Sequence, residues 1–284
     1  MKQLLKLSAA SLLVVGALSV QASTLSDVQA KGHVSCGVSK GLAGFSSADS
    51  SGTWTGVDVD VCRAVAAATL GDAQKVKFVP LTAKERFTAL QSGEIDMLSR
   101  NTTWTITRDA SLGLNFAGVN YYDGQGFMVK SSLGVSSAME LSGAAICIQA
   151  GTTTELNLAD WGKANGIEYN SVVSDTNAQT LTNYDAGRCD VLTTDASGLY
   201  SMRAAANDPS EHVVLPEIIS KEPLGPVVRQ GDDQWFNIVR WSLNAMITAE
   251  ELGVTSATVD DVSNNPERER LMGRSGSTHE YVGL

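Results

Sequence analysis

The sequence predicts an α/β protein built of two lobes, and three observations point that way. Short apolar strands alternate with amphipathic helices. The alternation runs twice along the chain, and each run leads with a strand, as parallel sheets with crossover helices require. The 284 residues also exceed one average domain.

Residues 1–22 carry the pattern of an export signal: Lys2 and Lys6 at the start, a mostly apolar Leu12–Val20, and Val20-Gln21-Ala22 as a small-residue cleavage site. That apolar stretch is too short to span a bilayer, so the mature chain is expected to begin near Ser23, outside the cytosol and free of the membrane. Loss of the two lysines takes the formal charge from −10 to −12, which argues against nucleic acid and anionic membrane surfaces as partners.

The first run begins with Val34–Val38 as a strand, then a loop rich in Gly and Ser from Ser39 to Gly56. Asp58 or Asp60 can cap a helix that places Val61, Val65 and Ala68 on one face, with Gly71 as its stop. Val76–Val79 is the next strand. Thr82-Ala-Lys-Glu85 has capping-box spacing ahead of Phe87 and Leu90, and Gly93 follows the helix end. Ile95–Ser99 is a third strand. The second run starts after Tyr121–Gln125, with strands at Gly126–Val129, Ala145–Gln149 and Asp190–Thr194, and a helix opened by Gly151–Glu155. Pro226–Val228 is extended, and Trp235–Leu252 has helical spacing at Trp235, Val239, Leu243 and Met246.

Cys36, Cys62, Cys147 and Cys189 are an even number in an exported chain, which favours two disulfides. Of the three pairings, Cys36–Cys62 with Cys147–Cys189 is favoured, because each then closes a loop within one lobe. Zinc is disfavoured by the wide spacing of the cysteines and the scatter of His33, His212 and His279, so no metal and no cofactor are expected.

Three polar clusters stand at strand ends. The first, Asp96–Asp109, crowds Arg100, Asn101, Thr102, Thr103, Thr105, Thr107 and Arg108 after a short strand. The fork of donors on Arg108 suits a carboxylate, with Thr103 or Asn101 supplementing it. A loop that satisfies its own backbone beside a surface arginine would show the same residues. The second, Gly151-Thr-Thr-Thr-Glu155, opens a helix whose free N–H groups attract anions, or simply caps it. The third, Gly187-Arg-Cys-Asp190 to Asp195, ends a strand in a carboxylate that either receives an ammonium or stays solvated. Together they offer a cation for a carboxylate and an anion for an amine, the chemistry of an α-amino-acid head group. Several fingerprints of catalysis are missing: no Walker A loop, H-E-x-x-H or dinucleotide glycine pattern occurs.

The order of motifs resembles the amino-acid-binding proteins of ABC importers. Gly56-Val-Asp-Val-Asp60, Leu90-Gln-Ser-Gly-Glu-Ile-Asp96, Thr105-Ile-Thr-Arg108, Gly151–Glu155 and Gly187–Asp195 carry that likeness. Lys84-Glu-Arg-Phe87, Ser99-Arg-Asn-Thr-Thr-Trp104 and Tyr122-Asp-Gly-Gln-Gly-Phe127 are closer to its general L-amino-acid-binding branch. The resemblance implies a type II periplasmic binding protein: a discontinuous lobe 1 of residues 23–125 and 226–284, a lobe 2 of residues 126–225, and two crossovers between them. It implies a periplasmic monomer that closes over an L-amino acid and hands it to ABC permease subunits. Carried over by position, Arg108 and Thr103 hold the ligand carboxylate with the Thr153 region, Asn101 lies near the ammonium, and Asp195 is the ammonium's charge partner.

Two departures matter. Leu42 stands where members specific for basic side chains often place a stacking aromatic, and nearby Ala83 is small, which implies broad specificity. Arg100 and Arg86 would bias the pocket toward acidic or amide side chains, although sequence orients neither. The branch also normally continues several tens of residues past Tyr281-Val-Gly-Leu284, so a fragment or a shortened form is expected. The rivals are an enzyme on the same fold, such as a cyclic-acid dehydratase, and an amino-acid sensor domain.

Overall fold

The computed structural model describes residues 23–275; the leader pattern at 1–22 and the terminal Tyr281–Leu284 lie outside them. The chain first forms α1 (Thr24–Lys31), β1 (Val34–Ser39), the short strands β2 (Ser47–Ala48) and β3 (Trp54–Thr55), and α2 (Val57–Leu70). β4 (Val76–Leu81), α3 (Arg86–Gln91), β5 (Met97–Leu98) and β6 (Leu114–Phe116) follow, then β7 (Tyr121–Asp123). Next come β8 (Gln125–Lys130), β9 (Ala145–Gln149), α4 (Thr153–Asn165), β10 (Asn170–Ser174), α5 (Asn177–Asp185), β11 (Val191–Asp195), α6 (Ala196–Ala205) and β12 (His212–Val214). The chain returns through β13 (Glu222–Leu224) and β14 (Val227–Arg229) to α7 (Asp233–Glu251) and α8 (Pro266–Leu271).

Two five-stranded sheets result, ordered β4-β1-β5-β14-β6 and β10-β9-β11-β8-β12, and β7 pairs with β13 in a two-stranded ribbon between them. The sequence predicts parallel sheets, and the β4-β1-β5 and β10-β9-β11 portions are parallel. The other pairings are antiparallel: β14 on β5 and β6, and β8 on β11 and β12. The reason is connectivity. Both β8 and β14 enter their sheets directly from the ribbon, with no crossover helix to return them in the same direction. Each sheet is covered by apolar clusters. Val34, Val61, Val65 and Trp235 belong to one on the first sheet, and Phe127, Ile146, Leu158 and Val191 to one on the second.

Local signals explain most elements. The capping box closes as read: Thr82 N donates to Glu85 Oε2 at 2.8 Å, and Glu85 N to Thr82 Oγ1 at 3.2 Å. Gly71 ends α2 in the left-handed conformation. The expected aspartate cap of α2 is corrected, because Gly56 occupies the cap position at φ 121° without a side-chain bond. A Cβ there would stand 2.3 Å from the Phe45 carbonyl oxygen, so the close approach of the loop requires glycine. The loop read from Ser39 to Gly56 contains the β2–β3 pair.

The favoured disulfides form. Cys36 in β1 joins Cys62 in α2, and Cys147 in β9 joins Cys189 just before β11, with Cα atoms 6.2 and 5.6 Å apart. Each therefore ties a helix or loop to its own sheet. No group of metal-ligating side chains occurs among the described residues.

Candidate functional site

The C-terminal ends of β5 and β11 face the junction of the two sheets, where polar side chains gather. On the first side, Asn101 adopts φ +33°, a left-handed turn that its short amide tolerates. That turn is held by Asp58, which is 1% exposed. Its carboxylate accepts from Asn101 N at 2.7 Å, Ser99 Oγ at 3.0 Å and Asn120 Nδ2 at 3.1 Å. Burial pushes the Asp58 carboxyl above its ordinary range, and these donors together with Arg100 pull it back. The residue that local spacing marks as a helix cap thus supports the strand-end loop instead. Asn101 Oδ1 is buried with no partner among the described residues.

Beyond the turn the loop is fastened to the ribbon: Gly225 N donates to Thr102 O at 3.0 Å, and Trp104 N to Pro223 O at 2.8 Å. Arg108 lies in a single π-helical turn, Thr107–Ser111, and its Nη1 donates to Thr103 O at 2.9 Å. Burial lowers its pKa to about 10, against the attraction of Glu222 and Asp195. Arg86 and Arg100 are each 2% exposed. Burial likewise lowers Arg100 to about 10, and holds Arg86 well below the ordinary guanidinium range. None of the three guanidiniums has a carboxylate within ion-pair distance among the described residues.

The second side contributes Thr153, the first residue of α4, and Asp195, the last of β11. Thr153 Oγ1 lies 3.3 Å from Thr103 Oγ1 and donates to Glu222 Oε2 at 2.9 Å, so a hydroxyl from each side meets beside the ribbon. The helix start differs in detail from a capping box. Glu155 Oε2 accepts from Gly151 N at 2.7 Å, and Thr152 Oγ1 donates to Gln149 O at 2.8 Å. Asp195 is 8% exposed, stands at the N-cap position of α6 without capping it, and takes no hydrogen bond from the described residues. Burial first, and the neighbouring charges of Glu222 and Asp123 second, raise its pKa to about 8; Arg86 and Arg108 act the other way.

Glu222, 2% exposed, is the residue that sequence reading missed. Its other oxygen accepts from Asn157 Nδ2 at 2.6 Å and Ser220 Oγ at 2.7 Å. The one local hint is a charged residue just before Pro223 and the Gly225-Pro226 pair; its burial comes from the ribbon, which sequence did not place. Arg100 lines a narrow cavity between the sides, facing Gly41 and Thr82 on one wall and Gln149 and Asn177 on the other. Leu42 itself packs with Phe45 and Leu224 in a small apolar cluster, so at that position Gly41 rather than the leucine lines that cavity. Lys84 Nζ and Asp175 Oδ1, 2.8 Å apart, make a further contact across the junction. The structure therefore brings Thr103 and Thr153 into contact across the junction, with Arg108 and Asp195 buried near enough to feel each other's charge.

Comparison with known proteins accords with this geometry. Residues 34–258 match the family described as bacterial extracellular solute-binding proteins, family 3. The chain is similar to the general L-amino acid-binding periplasmic protein AapJ of Rhizobium johnstonii, with 62% identity over 95% of this chain and 80% of that one. It is 57% identical to the glutamate/glutamine/aspartate/asparagine-binding protein BztA of Rhodobacter capsulatus, over 96% of this chain and 81% of the relative. Among solved structures, an ABC transporter/periplasmic binding protein from Brucella ovis with glutathione bound superposes with a TM-score of 0.89 at 59% identity, covering 93% of this chain and 84% of that one. The chain belongs to family 3 of the bacterial extracellular solute-binding proteins, with the type II periplasmic binding protein fold.

Proposed function

We propose that this solute-binding protein captures L-amino acids of many kinds by closure of its two lobes and delivers them to the permease of an ABC importer. One observation carries the reading: a buried guanidinium, Arg108, and a buried carboxyl, Asp195, approach from opposite sides of the junction, and neither is ion-paired among the described residues. A zwitterionic head group satisfies both at once. Its carboxylate takes the free donors of Arg108 with the hydroxyls of Thr103 and Thr153, and its ammonium takes Asp195 and the partnerless Asn101 Oδ1. Each lobe holds half of these contacts, so the ligand gains the full set only on closure and shifts the equilibrium toward it. The chemistry common to all amino acids is held in this way. Small neighbours such as Gly41 and Ala83 place few shape constraints on the side chain.

The relatives are periplasmic binding proteins, and no helix among the described residues is long and apolar enough to cross a membrane. Export through the leader at residues 1–22, a lobe 1 of residues 23–125 with 226–284, a lobe 2 of residues 126–225 and a monomeric state belong to the same proposal. So does the absence of turnover: an incubated amino acid is recovered unchanged, and formation of a product would favour the enzyme reading.

A thermal-shift screen of the mature chain against the twenty L-amino acids tests the function. At a thousandfold excess over Kd a ligand stabilises by about 4 kcal/mol, a plain rise in Tm. Rises with many amino acids are expected. A folded chain that shifts with none of them contradicts the reading.

A further inference from the structure

Gln125, the first residue of β8, is fully buried, and one atom of its amide is unmatched. Its Nε2 donates to Thr193 Oγ1 at 3.0 Å and to Thr154 O at 3.2 Å. The Thr154 carbonyl can only accept, so it fixes which end of the amide is nitrogen. Oε1 is left buried with no partner among the described residues. A buried acceptor of this kind costs free energy unless a donor reaches it. Thr193 does not supply one, because its hydroxyl donates to Gly126 O at 2.7 Å.

The strand register brings a donor to the same place. Gln125 and Asp195 are direct partners in the antiparallel β8–β11 pair. The main chain of Gln125 faces away from β11: its N donates to Ser220 Oγ at 3.1 Å, and its O accepts from Ile219 N at 2.9 Å. The two residues therefore share no main-chain bond, the kind of pair in which opposed side chains stand closest. Both side chains lie on one face of the sheet, since the Gln125 amide reaches Thr193, two residues before Asp195. The Asp195 carboxyl is buried and keeps its proton up to about pH 8. Burial, then Glu222 and Asp123, favour that proton, whereas Arg86 and Arg108 oppose it. A neutral carboxyl is a donor, so the two unmatched groups complement each other.

We propose that Gln125 is a positioning residue for Asp195: its amide oxygen accepts a hydrogen bond from the neutral Asp195 carboxyl and holds it in place until a ligand ammonium arrives. The proton then leaves to solvent, and the carboxylate pairs with the ammonium. This deepens the amino-acid reading given above and rests on it. The competing role for Gln125 is purely structural, a buried amide that ties β8 to β11 and to the first turn of α4.

Titration calorimetry with L-alanine, in buffers of unlike ionisation heat and across a range of pH, counts the protons released on binding. Release from the unaltered chain is expected below about pH 8. Gln125→Met removes an acceptor that favours the protonated form, so the pH of half-release should fall by about one unit, tenfold in the protonation equilibrium. A purely structural Gln125 would lower Tm on substitution and leave half-release where it was. Gln125→Asn, which draws the acceptor back by one methylene, is judged by the same criterion. Where neither variant folds, the infrared difference spectrum of the unaltered chain on adding L-alanine decides. Loss of a carboxylic-acid band below the frequency of an unbonded acid supports the assignment, and a band at the unbonded frequency, or none, overturns it. Unmoved half-release in a folded variant, or L-alanine binding to the unaltered chain without proton release, also overturns the role of Gln125. A folded, unaltered chain that does not bind L-alanine overturns the reading of broad amino-acid capture and this inference with it.

Discussion

The two sides of the cleft are held in opposite ways. The cationic side is fastened before any ligand arrives: Asp58 holds the Asn101 turn with three donors, the ribbon holds Thr102 and Trp104, and Arg108 is tied to Thr103 O. The anionic side is fastened only in part. Glu222 is satisfied by three side-chain donors, whereas the Asp195 carboxyl is buried and receives no hydrogen bond from the described residues. The difference teaches where binding energy arises. On the proposed reading the first side supplies preorganised geometry, and the second supplies a buried carboxyl that a ligand ammonium would ionise and pair with.

The largest effect that could break this comparison is removal of the cation. Arg108→Ala should weaken amino-acid binding by about 2–5 kcal/mol, because the ligand carboxylate is then buried without its partner. Retention of affinity within tenfold, measured by calorimetry, would remove Arg108 from the site.

Next comes the anion. Asp195→Asn should cost about 1.5–3 kcal/mol of affinity, the range of a hydrogen bond to a charged group. Its pH behaviour sharpens the point. With a pKa raised from 3.8 to about 8, Asp195 keeps its proton at neutral pH in the closed, ligand-free form. An ammonium favours the charged carboxylate, so binding releases that proton and affinity climbs as pH rises toward about 8. The raised pKa also means that the stability this group confers on the ligand-free closed form is present at low pH and lost as pH rises from 3.8 through about 8. Heats of binding compared in phosphate and in Tris report the proton; identical heats would show that none is released.

Asp58→Asn probes the fastening of the first side. It replaces an acceptor-only group by one that brings donors among existing donors, and should lower unfolding stability by about 1–3 kcal/mol in urea titration. An unchanged midpoint would mean that the Asn101 turn holds itself. The smallest effect belongs to the exposed Lys84–Asp175 contact. Lys84→Ala should leave Kd within about threefold, since exposed ion pairs contribute little; a larger change would make this contact a latch of the closed state.

Much of the architecture was legible because its signals are local. The Thr82–Glu85 box, Gly71 as a helix stop and the strand-end clusters at Arg108, Thr153 and Asp195 all depend on neighbours a few residues away. Features set by distant chain were harder to read. Asp58 reads as a cap because it sits in a first turn, yet its partners are 41 to 62 residues away. Glu222 meets Asn157 and Thr153 from 65 and 69 residues away. The antiparallel entry of β8 and β14 follows from a ribbon whose two strands are about a hundred residues apart, and no local periodicity encodes that pairing.

The most direct measurement is calorimetry of the mature chain with L-alanine and with L-lactate, which share a carboxylate and a methyl side chain and differ in ammonium against hydroxyl. The head-group clamp predicts that L-alanine binds at least a hundredfold more tightly, because lactate has no ammonium to ionise and pair with Asp195. Equal affinities would mean that Asp195 receives no ammonium, and would contradict the head-group clamp.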